Sequence, residues 1–341
     1  MSLSPKERVI STIDGDTHDV PPVAIFTQSV TVSMMERRNI FWPEANYDAK
    51  QMAALGSAAA EDFGFEAVRS PFSITAEVER LGCCVDRGTM SSTPMVTTHP
   101  YRFVPAEEVF PDIPFFEPDE FVSGGNIAQI IESIEILSKN KGDMYPVVAG
   151  FSGPLIVAGG LVGIEELMIG TLLSPDDAEK IIAGTMSVLK RYVQELSKAG
   201  ADVIQLTDGI ASPDLLPPEL FNSFAGRYFK ELFKAVRKTK TSLHICGDTS
   251  KILRNMVGTG ADCLSIEEIV DPHFAKSIVG NDAILVGNIG AVNPLFNGTP
   301  EDIVDSTINC RNAGFDIIAP GCGLSPLTPD VNLRAFRNAL I

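Results

Sequence analysis

Short runs of apolar, β-branched residues recur along this chain. Each closes on a polar residue or a glycine, and a longer stretch with helical spacing of apolar positions follows it. The short runs predict strands over residues 23–26, 66–69, 146–150, 202–207, 243–246, 263–267, 284–288 and 316–320. Ser174-Pro175-Asp176-Asp177 sets a serine N-cap, a proline at the first helical position and two acids in the first turn, ahead of an amphipathic stretch to about Lys198. Thr299-Pro300-Glu301-Asp302 repeats the signature, and Pro217-Pro218-Glu219 opens another helix. Ala199-Gly200-Ala201-Asp202, Gly260-Ala261-Asp262 and Ala313-Gly314-Phe315-Asp316 are near-copies of one joint, a helix-end glycine leading into a strand.

Repeated βα units predict an α/β fold: a (β/α)₈ TIM barrel, a single domain over residues 1–341, with its chemistry at the C-terminal ends of the strands. A plain barrel needs about 250 residues, so roughly 90 are extra. Residues 27–64 read as an N-terminal extension. Residues 80–102, rich in β-branched and turn residues, read as a β-hairpin insertion, and both are expected to act as lids.

Three residues at predicted strand ends carry candidate chemistry. His244 and Cys246 lie two apart in Ser242-Leu243-His244-Ile245-Cys246-Gly247-Asp248, so strand alternation gives them one face. Cys322 follows another strand, in Ala319-Pro320-Gly321-Cys322-Gly323-Leu324. One imidazole and two thiolates are good zinc ligands and leave a fourth position open, the pattern of a catalytic Zn²⁺. A His-x-Cys window alone equally suits a core strand with a small apolar cysteine. The other cysteines read as structural: Cys83-Cys84 in the hairpin, Cys263 and Cys310 in strand and helix.

Composition narrows the partners. The 44 acidic and 27 basic residues give a net charge of −17, spread along the chain, which argues against nucleic acid. No run nears the roughly 18 apolar residues of a membrane span, and the first residues lack a signal-peptide core. A cytoplasmic protein with no membrane partner is expected, in which six cysteines serve as thiols or metal ligands.

Asp14-Gly15-Asp16 with Asp19-Val20-Pro21-Pro22, Gly150-Phe151-Ser152-Gly153-Pro154, Gly287-Asn288-Ile289 and the segment around Cys322 together resemble the uroporphyrinogen decarboxylase superfamily over nearly the whole chain. The resemblance implies the barrel fold. Decarboxylases of this superfamily carry an Arg-x-x-Gly-Arg motif after the first strand, where this chain reads Phe26-Thr27-Gln28-Ser29-Val30, and a histidine near the position of Cys322. His-x-Cys with a later cysteine is instead similar to the branch of methylcobamide:coenzyme M methyltransferases. That branch implies Zn²⁺, coenzyme M as the small thiol substrate, and a corrinoid (cobamide) supplied by a methylated partner protein. The thiolate of coenzyme M would attack the methyl group on cobalt.

The zinc arrangement also resembles that of cobalamin-independent methionine synthase, in which a glutamate after the next strand joins the metal. Glu267 is the matching candidate, as a displaceable fourth ligand or as a carboxylate buried against a basic residue; Glu268 points to the other face. Ser152 and Gly153, at a helix start, offer backbone N–H groups to the sulfonate, or simply shape the loop. Asp208 and Asn288 fall on the active rim by position, Asp208 as partner of a ligand or as proton acceptor from the thiol, Asn288 as a substrate contact. Asp271-Pro272-His273 begins like a cobalt-ligating signature, but Lys276 stands where glycine is needed, so His273 reads as a helix-start residue. Trp42, Met34 and Met35 are apolar contacts for the partner or core. Two competing readings are a decarboxylase, with Arg37-Arg38 as the only basic cluster near the first strand, and a non-catalytic metal-binding docking subunit for a corrinoid protein.

Overall fold

The computed structural model of the protein describes residues 3–236 and 238–340. Nine strands occur among them: β1 Val68–Ser70, β2 Cys84–Asp86, β3 Met95–Thr98, β4 Val147–Ser152, β5 Val203–Thr207, β6 Lys240–His244, β7 Cys263–Ser265, β8 Ile284–Ile289 and β9 Ile317–Pro320. Strands β1 and β4 to β9 form one curled, all-parallel sheet in chain order, and helices fill the crossovers. Strands β2 and β3 pair antiparallel, apart from that sheet.

Seven of the eight expected strands are present. The first, at 23–26, is reduced to a single bridge: Val23 pairs parallel with Ile318, and its carbonyl accepts from the Glu66 amide at 2.9 Å. Two causes are visible in the chain. Pro21 and Pro22 bring no N–H to a ladder, and the Phe26 carbonyl accepts instead from Arg69 Nε at 2.6 Å.

The helix signals hold, with one exception. Pro175–Lys198 is a 24-residue helix that buries Ile181, Ile182, Val188, Leu189, Tyr192 and Leu196, yet Ser174 makes no side-chain cap. Thr299 closes a full capping box with Asp302 at the start of Pro300–Ala313. The three joint glycines, Gly200, Gly260 and Gly314, have φ of +98°, +79° and +89°, the left-handed region a β-carbon disfavours. His273 sits in the first turn of helix Pro272–Val279, capped by Asp271.

The N-terminal ends of the strands are covered. Val9 and Ile13 of helix Pro5–Ile13 pack among Ala24, Phe26, Ala67 and Val148. Ions fasten that segment to residues at or just before the strands: Lys6 to Asp202 at 2.9 Å, Arg8 to Glu66 at 2.7 Å, and Asp14 to Lys240. Trp42, Met34 and Met35 are buried, with the Trp42 ring tilted against Phe72 at 5.6 Å, so they are core and present no apolar face to a partner. No single helix among the described residues is long and apolar enough to cross a membrane.

Candidate metal centre

His244 ends β6, and Cys246 lies two residues on, past the strand, just before Gly247 at φ +80°. Its sulfur stands 3.3 Å from His244 Nε2 and 3.8 Å from the sulfur of Cys322, which follows β9. Glu267, two residues past β7, completes the group: one donor atom from each of the four residues lies within 4.8 Å of every other. His244 is buried and the other three are half-buried, so the cluster opens on one side.

Each side chain is held by a neighbour. The carbonyl of Ser265 can only accept, so its contact with His244 Nδ1 at 3.2 Å places the proton there and turns the Nε2 lone pair toward the sulfurs. Glu267 accepts from the Gly247 amide at 3.0 Å, which ties it to the Cys246 turn. The Thr27 hydroxyl donates to the Cys322 carbonyl at 2.9 Å. Asn288 donates to the carbonyls of Glu267 at 3.1 Å and Val270 at 2.8 Å, fixing the loop that carries the glutamate.

The cluster is rich in negative charge. Hydrogen bonds from Cys246 and His244 hold Cys322 below the ordinary thiol value, and the same Cys322 pushes Cys246 up. Burial, then Cys322, raises Glu267 and Glu268. Burial is the largest influence on His244 and opposes its cation, but the bond to and charge of Cys322, the Glu267 charge and the Ser265 carbonyl together outweigh it, so its pKa is raised. Two thiols and the Glu267 carboxylate thus crowd one imidazole.

The geometry tests whether a metal suits these donors. Two sulfurs about 2.3 Å from a tetrahedral zinc stand roughly 3.7 Å apart, and a sulfur and an imidazole nitrogen somewhat less. The observed 3.8 Å and 3.3 Å match that spacing. The residues fit a zinc ion.

The other expected site residues stand elsewhere. The Ser152 amide donates to Glu77 at 3.0 Å and the Gly153 amide to the Thr207 carbonyl at 2.8 Å, so neither N–H is free for a sulfonate. The start of helix Pro154–Val162 is already met by an internal carboxylate, because Asp208 accepts from Leu155 at 2.9 Å. Asp208 is wholly buried and meets backbone amides, none of the four donors; burial pushes its carboxyl up to about 7. Its amide donates to the His244 carbonyl at 3.0 Å, but its carboxylate orients no ligand side chain and, shut away from solvent, is not placed to accept the thiol proton. Asn288 is buried and spent on two carbonyls, a positioning residue and not a substrate contact. Arg37 and Arg38 are paired with Asp62, Glu61 and Asp330, so this basic pair is not free for a decarboxylase substrate.

Sequence reasoning missed Ser265 and Arg69. Nothing local marks a serine that orients a histidine from the next strand. Arg69, a cation inside the apolar run Ala67-Val68-Arg69, was a visible irregularity.

Beside the cluster, Gly209 packs against Cys246 and borders an apolar cleft of about 510 Å³. The cleft runs between Met95 and Val96 of β3 and Ile156, Ile164 and Ile210.

The family model for uroporphyrinogen decarboxylase (URO-D) matches residues 4–340. The methylcobamide:CoM methyltransferase MtbA of Methanosarcina acetivorans is 34% identical over 334 residues, 97% of this chain and 96% of that one. MtaA of Methanosarcina barkeri, of the same name, is 33% identical over 97% and 96%. The solved structure of a methyltransferase from Methanosarcina mazei superposes with a TM-score of 0.92 at 33% identity, covering 99% of this chain and 98% of that one. The chain belongs to the uroporphyrinogen decarboxylase (URO-D) family, within the part of it that these methyltransferases occupy.

Proposed function

We propose that this chain is a zinc-dependent methyltransferase that moves a methyl group from a methylated corrinoid protein to the thiol of coenzyme M. The observation that carries the reading is the convergence of His244, Cys246, Cys322 and Glu267 at zinc-ligand spacing, in a chain so similar to named methylcobamide:CoM methyltransferases.

Zinc, when bound, supplies the positive charge that keeps a substrate thiol ionised at neutral pH, where a free thiol of pKa about 8.5 is only a few per cent thiolate. The protein's residues do the rest. His244 presents Nε2 because Ser265 holds its Nδ1 proton. Cys246 and Cys322 bring two thiolates that balance the ion's charge, so the substrate sulfur keeps its nucleophilicity. Glu267, held from Gly247 and half-buried, would be the fourth, displaceable ligand to a bound zinc. The thiolate then takes the methyl carbon, the carbon–cobalt bond breaks, and its electron pair stays on the partner's cobalt, which passes from Co(III) to Co(I).

We also read the curled sheet, with Val23 bonded to β9 and to Glu66, as a (β/α)₈ barrel over the whole chain. The β2–β3 hairpin then belongs to an insertion over residues 80–102 that walls the cleft beside Cys246.

The test is an anaerobic assay of methylcobalamin with coenzyme M, following loss of the carbon–cobalt absorbance. Transfer is expected with zinc-replete protein and lost, by at least about 100-fold, in Cys246→Ala. Full zinc occupancy without transfer to any thiol would leave the docking-subunit reading, and a chain that takes up no zinc refutes the assignment.

A further inference from the structure

Arg69 is buried, 6% exposed, and no carboxylate meets it among the described residues; burial alone acts on its pKa, lowering it to about 10. A guanidinium keeps its charge at neutral pH even so. Its Nε and Nη1 donate to the carbonyls of Phe26 and Pro71, neutral groups that cannot cancel a cation. Its Nη2 occupies the space a β-carbon would need at Gly150, so it lies on the inner side of β4. A buried, unpaired arginine is a costly arrangement unless something else supplies the negative charge.

The same layer holds further unmet polar groups. Gly150 pairs in register with Gln205, and Gln205 with Ser242, so the three residues share a face of the sheet. Gln205 and Ser242 are wholly buried, and both amide atoms of Gln205 and the hydroxyl of Ser242 lack any partner. Unspent donors from Arg69, the Gln205 Nε2 and the Ser242 hydroxyl are thus built into the sheet's interior, without a carboxylate among them.

Its position relative to the metal site is fixed by the backbone. Ser242 precedes His244 by two residues on β6, one step of roughly 6–7 Å on the same face. On the opposite side, Phe26 takes Arg69 Nε, and the next residue, Thr27, donates to Cys322. The layer lies one step beneath the four donors.

We propose that Arg69, with Gln205 and Ser242, receives the terminal anion of the thiol substrate, a sulfonate or similar group, while its sulfur is held by the donors above. The inference deepens the proposed function and rests on it. It also supplies the anion contact that Ser152 and Gly153, with both amides engaged, do not. A two-carbon spacer between sulfur and anion suits one such step.

The test uses calorimetric titration of the purified zinc-loaded chain with three probes: coenzyme M, uncharged 2-mercaptoethanol, and ethanesulfonate, which has the anion without the thiol. Coenzyme M is expected to bind about 10- to 100-fold more tightly than 2-mercaptoethanol. Arg69→Gln should erase that preference while leaving 2-mercaptoethanol affinity unchanged, and Arg69→Lys should restore part of it. In turnover the Arg69→Gln loss should fall on KM for coenzyme M far more than on kcat. Equal affinity for the two thiols in the wild type, or a preference that survives Arg69→Gln, overturns the proposal and leaves the layer to ordered water. If Arg69→Gln does not fold, the wild-type comparison of the two thiols decides alone. If no thiol is methylated but ethanesulfonate binds in an Arg69-dependent way, the functional reading fails while the anion site stands.

Discussion

Replacing Asp208 by asparagine should abolish a specific loss of stability with rising pH. The carboxyl is 0% exposed, Oδ2 accepts from Leu155 at 2.9 Å, and Oδ1 has no partner. Burial lifts it from an ordinary 3.8 to about 7, even though amides of Leu155, Ile210, Ile156 and Ala211 favour the ion. Between these two values the folded state holds a proton that the unfolded chain has released. Stability from this group is therefore complete below about pH 4 and falls as pH rises through about 7. Some three pH units at about 1.4 kcal/mol each set an upper bound of about 4 kcal/mol. Urea unfolding followed by circular dichroism at pH 5, 6, 7 and 8, for wild type and Asp208→Asn, isolates the contribution, because other groups cancel in the difference. The variant should gain on the wild type by about 2–3 kcal/mol from pH 5 to pH 8, the part of the bound that lies above pH 5. A difference that stays flat across that range would show Asp208 ionised throughout and refute the reasoning.

Gly153→Ala places a methyl group on the Asp208 carboxylate. A cost of about 1–3 kcal/mol is expected by denaturant titration, at least half of it recovered in an Asp208→Ala background. Asn288→Ala removes the side-chain donor from the carbonyls of Glu267, which keeps the Val270 amide, and of Val270. It should weaken zinc affinity about 10- to 100-fold in competition with a chromogenic chelator, and unchanged affinity would deny Asn288 its positioning role. Stripping the metal leaves two thiols and one carboxylate facing one imidazole. The melting temperature should drop on chelation and return with zinc; an unmoved midpoint would mean that the cluster holds no metal.

Much of this was legible because its signals are local. The capping box at Thr299 and the three glycine joints are written within a few residues. Two apart near the end of a strand was enough to bring His244 and Cys246 together, even though the strand stops before the cysteine. What failed depends on partners remote in sequence. Whether the amides of Ser152 and Gly153 are free is decided by Glu77 and Thr207, on other segments. The strand at 23–26 shrank to one bridge because Arg69, about forty residues on, takes the Phe26 carbonyl. The depth of Trp42, Met34 and Met35 is likewise a property of packing, not of their own window.

The helix that seals the N-terminal ends of the strands has a consequence for order in time. With Val9 and Ile13 packed in that end and ions fastening its rim, the barrel proposed above would leave the opposite mouth as the route to the four donors. A small thiol and a bulky methyl donor must then share one doorway. On the proposed function, a protein-borne corrinoid seated over that doorway would block the smaller molecule, so the thiol would have to be inside first and the methylated product would leave only once the larger partner had moved away. A sealed floor would thereby impose a compulsory queue, with the slow traffic of the large partner setting the pace of the small one.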